Sequence, residues 1–189
     1  MKHLDIGSGL LPKNPYNADE VYGIDIQDNK NNDTNYRQVN LFTNKIPFDD
    51  NFFDSISAYD FLEHIPRVRI KDNGDTNFPF IDLMNEVYRV LKSNGKFYAV
   101  TPFYPKPEAF QDPTHVNIIT KKTHEYFCGS DCYGKYYGFK GNFKKIKVNS
   151  ISVKLAKKGT NASVFEKLYD YKRKLFGKHT HLLWELQKN

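Results

Sequence analysis

Apolar and polar positions alternate along most of the chain in blocks that predict strands separated by loops, crossovers and helices. Five early runs have the length and composition of buried or half-buried strands: residues 2–6, 21–26, 36–41, 53–59 and 96–102. A longer alternating run over residues 143–158 predicts a strand with one solvated face. Residues 179–188 predict the last strand.

Two segments have the apolar spacing of amphipathic helices. Residues 80–95 place apolar side chains at Ile81, Met84 and Val87 and end in Ser-Asn-Gly, a helix stop signal. Residues 163–177 form the second. Strands that alternate with helices or crossovers predict an α/β fold with a parallel sheet, and a helix between the two final strands predicts an antiparallel edge.

Length and composition narrow the class of protein. A chain of 189 residues suits one domain, which we expect to span residues 1–189. No apolar run approaches the roughly 20 residues of a membrane helix, and no charged-then-apolar segment predicts secretion. Two cysteines, Cys128 and Cys132, provide no disulfide framework. We therefore expect a cytoplasmic protein without a membrane span.

The net charge of +6 is unevenly distributed. Residues 1–134 carry 14 Lys+Arg and 19 Asp+Glu, whereas residues 135–189 carry 14 and 3. Such a basic region could contact nucleic acid, an anionic lipid surface or a phosphorylated substrate, although a biased surface composition is the favoured explanation. The aromatic and basic run 133–147 could stack bases, but inward-packing rings are the favoured interpretation, so nucleic acid is the less favoured partner.

The stretch HLDIGSGL places two glycines, Gly7 and Gly9, directly after the first predicted strand. Asp25 follows Gly7 by 18 residues and ends the second strand, the usual place for a carboxylate that binds ribose hydroxyls. The third glycine of a dinucleotide site is replaced by Pro12, so NAD fits poorly. S-adenosylmethionine has no pyrophosphate and fits the loop better.

The segment Asp5-Ile6-Gly7-Ser8-Gly9 resembles the first motif of class I S-adenosylmethionine-dependent methyltransferases. Three further segments resemble that family in the same order: residues 21–26, 46–65 and 87–102. The resemblance implies a Rossmann-like methyltransferase fold, with a mostly parallel seven-stranded sheet, an antiparallel edge and helices on both faces. It also implies S-adenosylmethionine as cofactor. Pro12 and Pro15 depart from the family, and we expect a loop in place of its first helix.

The resemblance also implies a cofactor site at the ends of the first four strands: Asp5, Gly7, Ser8, Gly9, Asp25, Ile26, Asn40, Leu41 and Tyr59. Asp5 would lie under the glycine loop near the methionine ammonium. Asn40 stands where the family often has Asp, and its oxygen could still accept from the adenine amino group. Tyr59 would face the sulfonium with its ring or be a packing residue.

Two groups of polar residues are candidates for handling the methyl acceptor. His115 lies in a proline-rich, aromatic segment, residues 103–120, where it could act as a base oriented by Asp112. The alternative is that Asp112 starts a turn and His115 bonds to backbone. The run Asp-Pro-Thr-His resembles small bacterial methyltransferases of glycan and natural-product pathways. We place the active site between the glycine loop, Tyr59–Asp60 and the loop that carries His115.

Asp60, Glu63 and His64 share one face of a short predicted helix. Relatives that methylate catechols or quinone precursors bind a divalent metal with a similar run, but acidic residues are also common at helix starts, so we predict no metal. The expected reaction is methyl transfer to an oxygen or nitrogen of a small molecule, such as a sugar or glycan intermediate. An RNA or protein methyltransferase and a non-catalytic cofactor-binding module remain alternatives.

Overall fold

The computed structural model describes residues 1–30 and 33–189. Within them the chain forms nine strands: β1 (Lys2–Ile6), β2 (Glu20–Asp25), β3 (Tyr36–Gln38), β4 (Phe53–Tyr59), β5 (Arg69–Ile70), β6 (Thr76–Asn77), β7 (Leu91–Pro102), β8 (Phe143–Ile151) and β9 (His181–Lys188). The three α-helices are α1 (Pro79–Val90), α2 (Val153–Lys158) and α3 (Val164–Leu175). None of the described helices is long and apolar enough to cross a membrane.

Seven strands form one sheet in the order β3-β2-β1-β4-β7-β9-β8, and β5 pairs with β6 in a separate hairpin. The first five strands in this order are parallel, whereas β9 is antiparallel to both β7 and β8. The predicted seven-stranded, mostly parallel sheet with an antiparallel edge is confirmed. The carboxyl ends of the parallel strands meet at one edge, where ligands of open α/β sheets bind.

One face of the sheet packs against α1. Ile6, Ile56 and Phe97 are fully buried on this face, in one apolar cluster with Met84 and Val87 of α1. Because these three residues come from three neighbouring strands, the helix covers the middle of the sheet.

The opposite face is covered by α2 and by the loop after β1. At β7 and β9, Val100 and Leu183 form a second apolar cluster with Ala156 of α2. Helices therefore cover both faces, as predicted. No helix follows β1; residues 7–19 form the expected loop, and Tyr16 in this loop packs edge-on against Tyr98 with ring centroids 5.8 Å apart.

The part of this face near β1 is polar, and its buried side chains are hydrogen-bonded to one another. His3 contacts Ser55 Oγ through Nδ1 at 2.7 Å and Ser57 Oγ through Nε2 at 2.9 Å, and Ser57 Oγ donates to Asp5 Oδ1 at 2.6 Å. All four residues are buried, and burial lowers the pKa of His3 to about 4. A hydrogen-bonded network of this kind fixes β4 beside β1, since any unpaired member would carry the cost of desolvation.

The strand predicted over residues 143–158 is wrong in its second half. β8 ends at Ile151, and Ser152 then caps α2, with its Oγ accepting from Leu155 N at 3.3 Å. The alternation of apolar residues with lysine continues past Ser152, so the pattern alone suggested one strand. A serine N-cap satisfies a free amide at the start of a helix and turns the chain there.

Candidate functional site

The loop after β1 depends on both glycines. Gly7 and Gly9 have φ of +66° and +59°, in the left-handed region that other residues avoid. A Cβ on Gly7 would lie 2.3 Å from Cδ2 of Phe61, whereas a Cβ on Gly9 would meet no atom within 4 Å. Gly7 therefore permits close contact with the segment after β4, and Gly9 leaves open space beside its backbone.

Asp25 joins this loop to the end of β2. Its Oδ2 accepts from the Gly9 amide at 2.8 Å and its Oδ1 accepts from the Gln27 amide at 3.0 Å. Each carboxylate oxygen can accept a further hydrogen bond. The side chain is half-buried, and Ile26 beside it is 62% exposed, so the end of β2 offers a carboxylate next to an apolar surface.

Asp5 and Ser8 lie beneath the loop. Asp5 is fully buried, accepts from the Lys13 amide at 2.8 Å, and lies 3.6 Å from the Lys13 ammonium. Burial raises the pKa of Asp5 to about 6, and Lys13 and Ser57 oppose that rise. Ser8 is also buried, and its hydroxyl donates to the Gly9 carbonyl at 2.7 Å. Both side chains hold the loop in shape.

Asn40 and Leu41 follow β3. The Asn40 side-chain oxygen accepts from the Phe42 amide at 3.0 Å, so the oxygen expected to receive the adenine amino group already has one donor. Its second lone pair and its amide group are the parts that can meet a ligand. Leu41 is 8% exposed and belongs to the main apolar core.

Tyr59 and Asp60 end β4 in different surroundings. Tyr59 is buried, and its hydroxyl donates to the Ala156 carbonyl at 3.2 Å, so its contacts are those of the packing alternative. Burial raises the pKa of the Tyr59 phenol above its ordinary value. Asp60 has φ of +50°, and its Oδ1 lies 2.9 Å from Nε2 of His181 at the start of β9. Asp60 thereby ties two strand ends together.

Two groups that are far apart in sequence meet beside these strand ends. Glu63 lies in a short 3₁₀ helix (Leu62–His64) after β4, and its backbone carbonyl accepts from the amides of Val116 and Asn117, both at 2.9 Å. These bonds bring His115 to the Glu63 side chain, with 4.0 Å between Nε2 and Oε1. The rings of His64 and His115 are 4.8 Å apart.

Glu63 is the most unusual member of this cluster. The residue is 1% exposed, and its Oε2 accepts from the Thr101 hydroxyl at 2.9 Å. Its Oε1 has no hydrogen-bond partner among the described residues. Burial raises the pKa of Glu63 to about 8, against a smaller lowering by its hydrogen bonds. A buried carboxyl with one free oxygen in a polar cluster is typical of a functional site.

The hydrogen bonds assign the protons of both imidazoles. His115 Nδ1 lies 3.3 Å from the Ala109 carbonyl, which can only accept, so Nδ1 carries the proton. The Thr114 hydroxyl donates to Asp112 Oδ1 at 2.7 Å and must therefore accept from His64 Nδ1 at 3.0 Å. In the neutral rings, both Nε2 atoms present lone pairs.

The same geometry could hold a cation. One ligand atom from each of Glu63, His64 and His115 lies within 4.8 Å of the others. A carboxylate and two imidazoles suit zinc or another divalent transition metal, and an Nδ1–H bonded to an acceptor is usual for metal-binding histidines. The sequence analysis grouped Asp60 with Glu63 and His64, whereas in the structure the third possible metal ligand is His115.

The expected pairing of Asp112 with His115 is looser than predicted. Asp112 Oδ2 lies 3.9 Å from His115 Nε2, while its Oδ1 accepts from both the amide and the hydroxyl of Thr114. These bonds lower the pKa of Asp112. The sequence did not predict that Glu63 supplies a second carboxyl beside His115, at 4.0 Å from its Nε2. The available signal was an acidic residue next to His64 in an otherwise apolar stretch.

We expect Glu63 to make the stability of the protein depend on pH. Its folded-state pKa of about 8 exceeds the unfolded value of 4.5, so the folded protein holds an extra proton between these values. This contribution is fully present below pH 4.5 and is lost as pH rises through 8. Glu63→Gln should remove it, and the free energy of unfolding of the variant relative to the parent should rise by on the order of a few kcal/mol from pH 5 to 8.

Urea unfolding of both proteins at several pH values measures this difference. Glu125→Gln, at an exposed glutamate, serves as the matched control and should change little. An equal response to pH in the Glu63→Gln variant and the parent would contradict the burial argument.

Comparison with known proteins gives one family match and many similar folds. A family model described as a methyltransferase domain matches residues 4–99. An S-adenosylmethionine-dependent methyltransferase from Archaeoglobus fulgidus is similar over 99% of this chain and 86% of its own, with a TM-score of 0.59 and 15% identity. No curated protein sequence matches.

A second solved structure is the geranyl diphosphate C-methyltransferase from Streptomyces coelicolor, in complex with Mg²⁺, geranyl diphosphate and S-adenosyl-L-homocysteine. It is similar over 100% of this chain and 71% of its own, with a TM-score of 0.56 and 15% identity. At these identities the likeness shows a shared fold.

Proposed function

Because the chain belongs to the class I S-adenosylmethionine-dependent methyltransferases, we propose that it methylates an oxygen or nitrogen of a small molecule, such as a sugar or glycan intermediate. The proposed site for the methyl acceptor is supported by the proximity of Glu63 and His115 beside the ends of the strands. Phe61 contacts Gly7 in the glycine loop, and Glu63 follows two residues later. Glu63 and His115, which we call the acceptor cluster because they would handle the methyl acceptor, therefore lie next to the proposed cofactor loop.

The residues at the ends of β1 and β2 fit the cofactor. Gly9 has open space beside its backbone, and Asp25 keeps lone pairs for the two ribose hydroxyls. The exposed side chain of Ile26 can lie against the adenine ring. When bound there, S-adenosylmethionine supplies a methyl group on a positively charged sulfur, which is activated for displacement.

His115 is the proposed base for a hydroxyl or amine acceptor. Its Nδ1–H bond to Ala109 leaves the Nε2 lone pair free to take the acceptor proton as the acceptor atom forms its bond to the methyl carbon. The His115 side chain is 8% exposed and that of Glu63 is 2% exposed, so both act in a setting with little water. Once Glu63 has lost the proton that burial retains up to about pH 8, its Oε1, at 4.0 Å from Nε2, would stabilise the imidazolium that forms.

Positioning is the other part of catalysis at this site. Asn117 fixes the position of the acceptor loop, residues 103–120, which carries His115. Its Nδ2 donates to the Leu62 carbonyl at 3.1 Å, and its Oδ1 accepts from Arg67 Nε at 2.6 Å. These bonds fix the loop that carries His115 against the 3₁₀ helix. Holding two reactants at attack distance is a major source of rate in group transfer.

An acceptor screen tests the proposed function. The purified protein is incubated with S-adenosylmethionine and, separately, with sugars, sugar nucleotides, phenols and single-stranded RNA, and S-adenosylhomocysteine is measured. We expect release that depends on a sugar or another small hydroxyl or amine compound. Release with RNA alone would assign the protein to nucleic-acid methylation. Tight cofactor binding with no release for any acceptor would support a non-catalytic module.

A further inference from the structure

Helix α3 presents its apolar side chains to solvent. Seven apolar or aromatic residues of α3 and its C-cap are more than half exposed: Val164, Phe165, Leu168, Tyr169, Tyr171, Leu175 and Phe176. At 3.6 residues per turn they lie within an arc of roughly 160°. Asp170, the one residue that α3 buries, points in the opposite direction. The usual orientation of a surface helix is thus reversed.

The polar face of α3 is what holds it to the protein. Asp170 Oδ2 lies 3.1 Å from His179 Nε2, and Asp170 Oδ1 accepts from the Ser152 amide at 3.2 Å. A capping box of Ser163 and Glu166 fixes the start of the helix. The exposed apolar face is therefore a stable feature of a well-anchored helix.

The charge of the protein is concentrated around this helix. Residues 153–178, which span α2 and α3, carry eight Lys or Arg and two Asp or Glu, a net charge of +6. The whole chain has 28 Lys+Arg and 22 Asp+Glu, so the remaining residues hold twenty of each and are neutral in sum. The excess positive charge of the molecule thus surrounds the exposed apolar face.

An anionic bilayer complements both properties of this surface. Helices that lie in the membrane interface bury an apolar face among the acyl chains and place lysine and arginine near anionic headgroups. Lys172 lies within the apolar arc, where its long stem can carry the ammonium back to the headgroups. A second copy of this chain is a poorer occupant of this face, because dimerisation would bring together two regions that each carry a net charge of +6 and repel each other. Aliphatic residues such as Val164 and Leu168 offer no specific contact to nucleic acid.

We propose that the exposed face of α3 binds the surface of a lipid bilayer containing anionic headgroups, with the helix parallel to the membrane plane. The protein would be held by insertion of Phe165 and Phe176, which are 84% and 78% exposed, and by attraction of the surrounding lysines. This inference does not depend on the reaction that the protein catalyses.

Vesicle sedimentation tests the proposal. The full chain is mixed with phosphatidylcholine vesicles with and without phosphatidylglycerol, at low and high salt. We expect binding that needs phosphatidylglycerol and weakens with salt. Phe165→Ser/Phe176→Ser should lower partitioning at least about tenfold, because both rings contribute buried apolar area. Tyr136→Ser, at a residue that is 83% exposed outside α3, is the matched control and should bind as the parent does.

Three results would overturn the proposal. The first is absence of binding to phosphatidylglycerol vesicles by the folded parent. The second is equal binding by the parent and the double phenylalanine variant. The third is self-association or single-stranded RNA binding, in the absence of vesicles, that the double variant abolishes. Thermal unfolding of each variant verifies that it is folded, which the high exposure of both phenylalanines leads us to expect.

Discussion

Asp25→Ala is expected to lower the affinity for S-adenosylmethionine at least about 100-fold while the protein stays folded. Each hydrogen bond to a charged group contributes about 1.5–3 kcal/mol, and the carboxylate is proposed to accept one from each ribose hydroxyl. The substitution also removes the acceptor for the Gly9 amide, which shapes the loop. Calorimetry with S-adenosylmethionine and S-adenosylhomocysteine measures the loss.

Asp28→Ala is the matched control for this experiment. Asp28 is an exposed acid three residues further along the chain, so its loss changes the net charge equally. The Asp28→Ala variant should bind the cofactor with nearly the affinity of the parent. If a folded Asp25→Ala variant binds as the parent does, the ribose assignment is wrong.

His115→Ala is expected to lower kcat by about 10²–10⁴-fold, the usual contribution of a positioned base, with cofactor affinity nearly unchanged. His115→Asn is the sharper variant. Its amide can still donate to the Ala109 carbonyl, but it has no basic nitrogen, so it should be as slow as alanine. Loss of one limb of the pH–rate profile in both variants would distinguish a base from a structural residue.

Other outcomes at His115 are equally informative. Unchanged turnover in both variants would return His115 to a structural role. Activity that a chelator removes and an added divalent cation restores would assign Glu63, His64 and His115 to a metal instead. Lys122→Ala, at an exposed residue beyond the acceptor loop, should leave turnover unchanged and serves as the control.

The bounds of β1 and β4 were predictable because these strands are short and apolar, whereas residues 91–95, predicted as the end of a helix, form the start of β7. Residues 2–6 and 53–59 have the predicted bounds in the structure, since buried parallel strands leave little choice of residue on either face. The end of β8 was not predictable from periodicity. Val153 and Leu155 continue the alternation, and only the capping bond from Ser152 reveals the helix.

The acceptor cluster could be predicted only in pieces. His115 and Glu63 each stood out as polar residues in apolar or aromatic segments, but 52 positions separate them in the sequence. Their meeting depends on backbone bonds from Val116 and Asn117 to the Glu63 carbonyl. Backbone bonds of this kind are independent of side-chain identity, so no residue pattern indicates them.

The contact between Gly7 and Phe61 has a consequence for how this protein can vary in evolution. Even an alanine methyl group at position 7 would overlap the present aromatic ring. Because Gly7 also has φ of +66°, a smaller residue at position 61 would not by itself make a larger residue at position 7 acceptable, so we expect the glycine to be retained even where position 61 varies. A larger side chain at position 7 would push Phe61 away. It would thereby increase the distance between the glycine loop, which is proposed to bind the methyl donor, and the segment that carries Glu63.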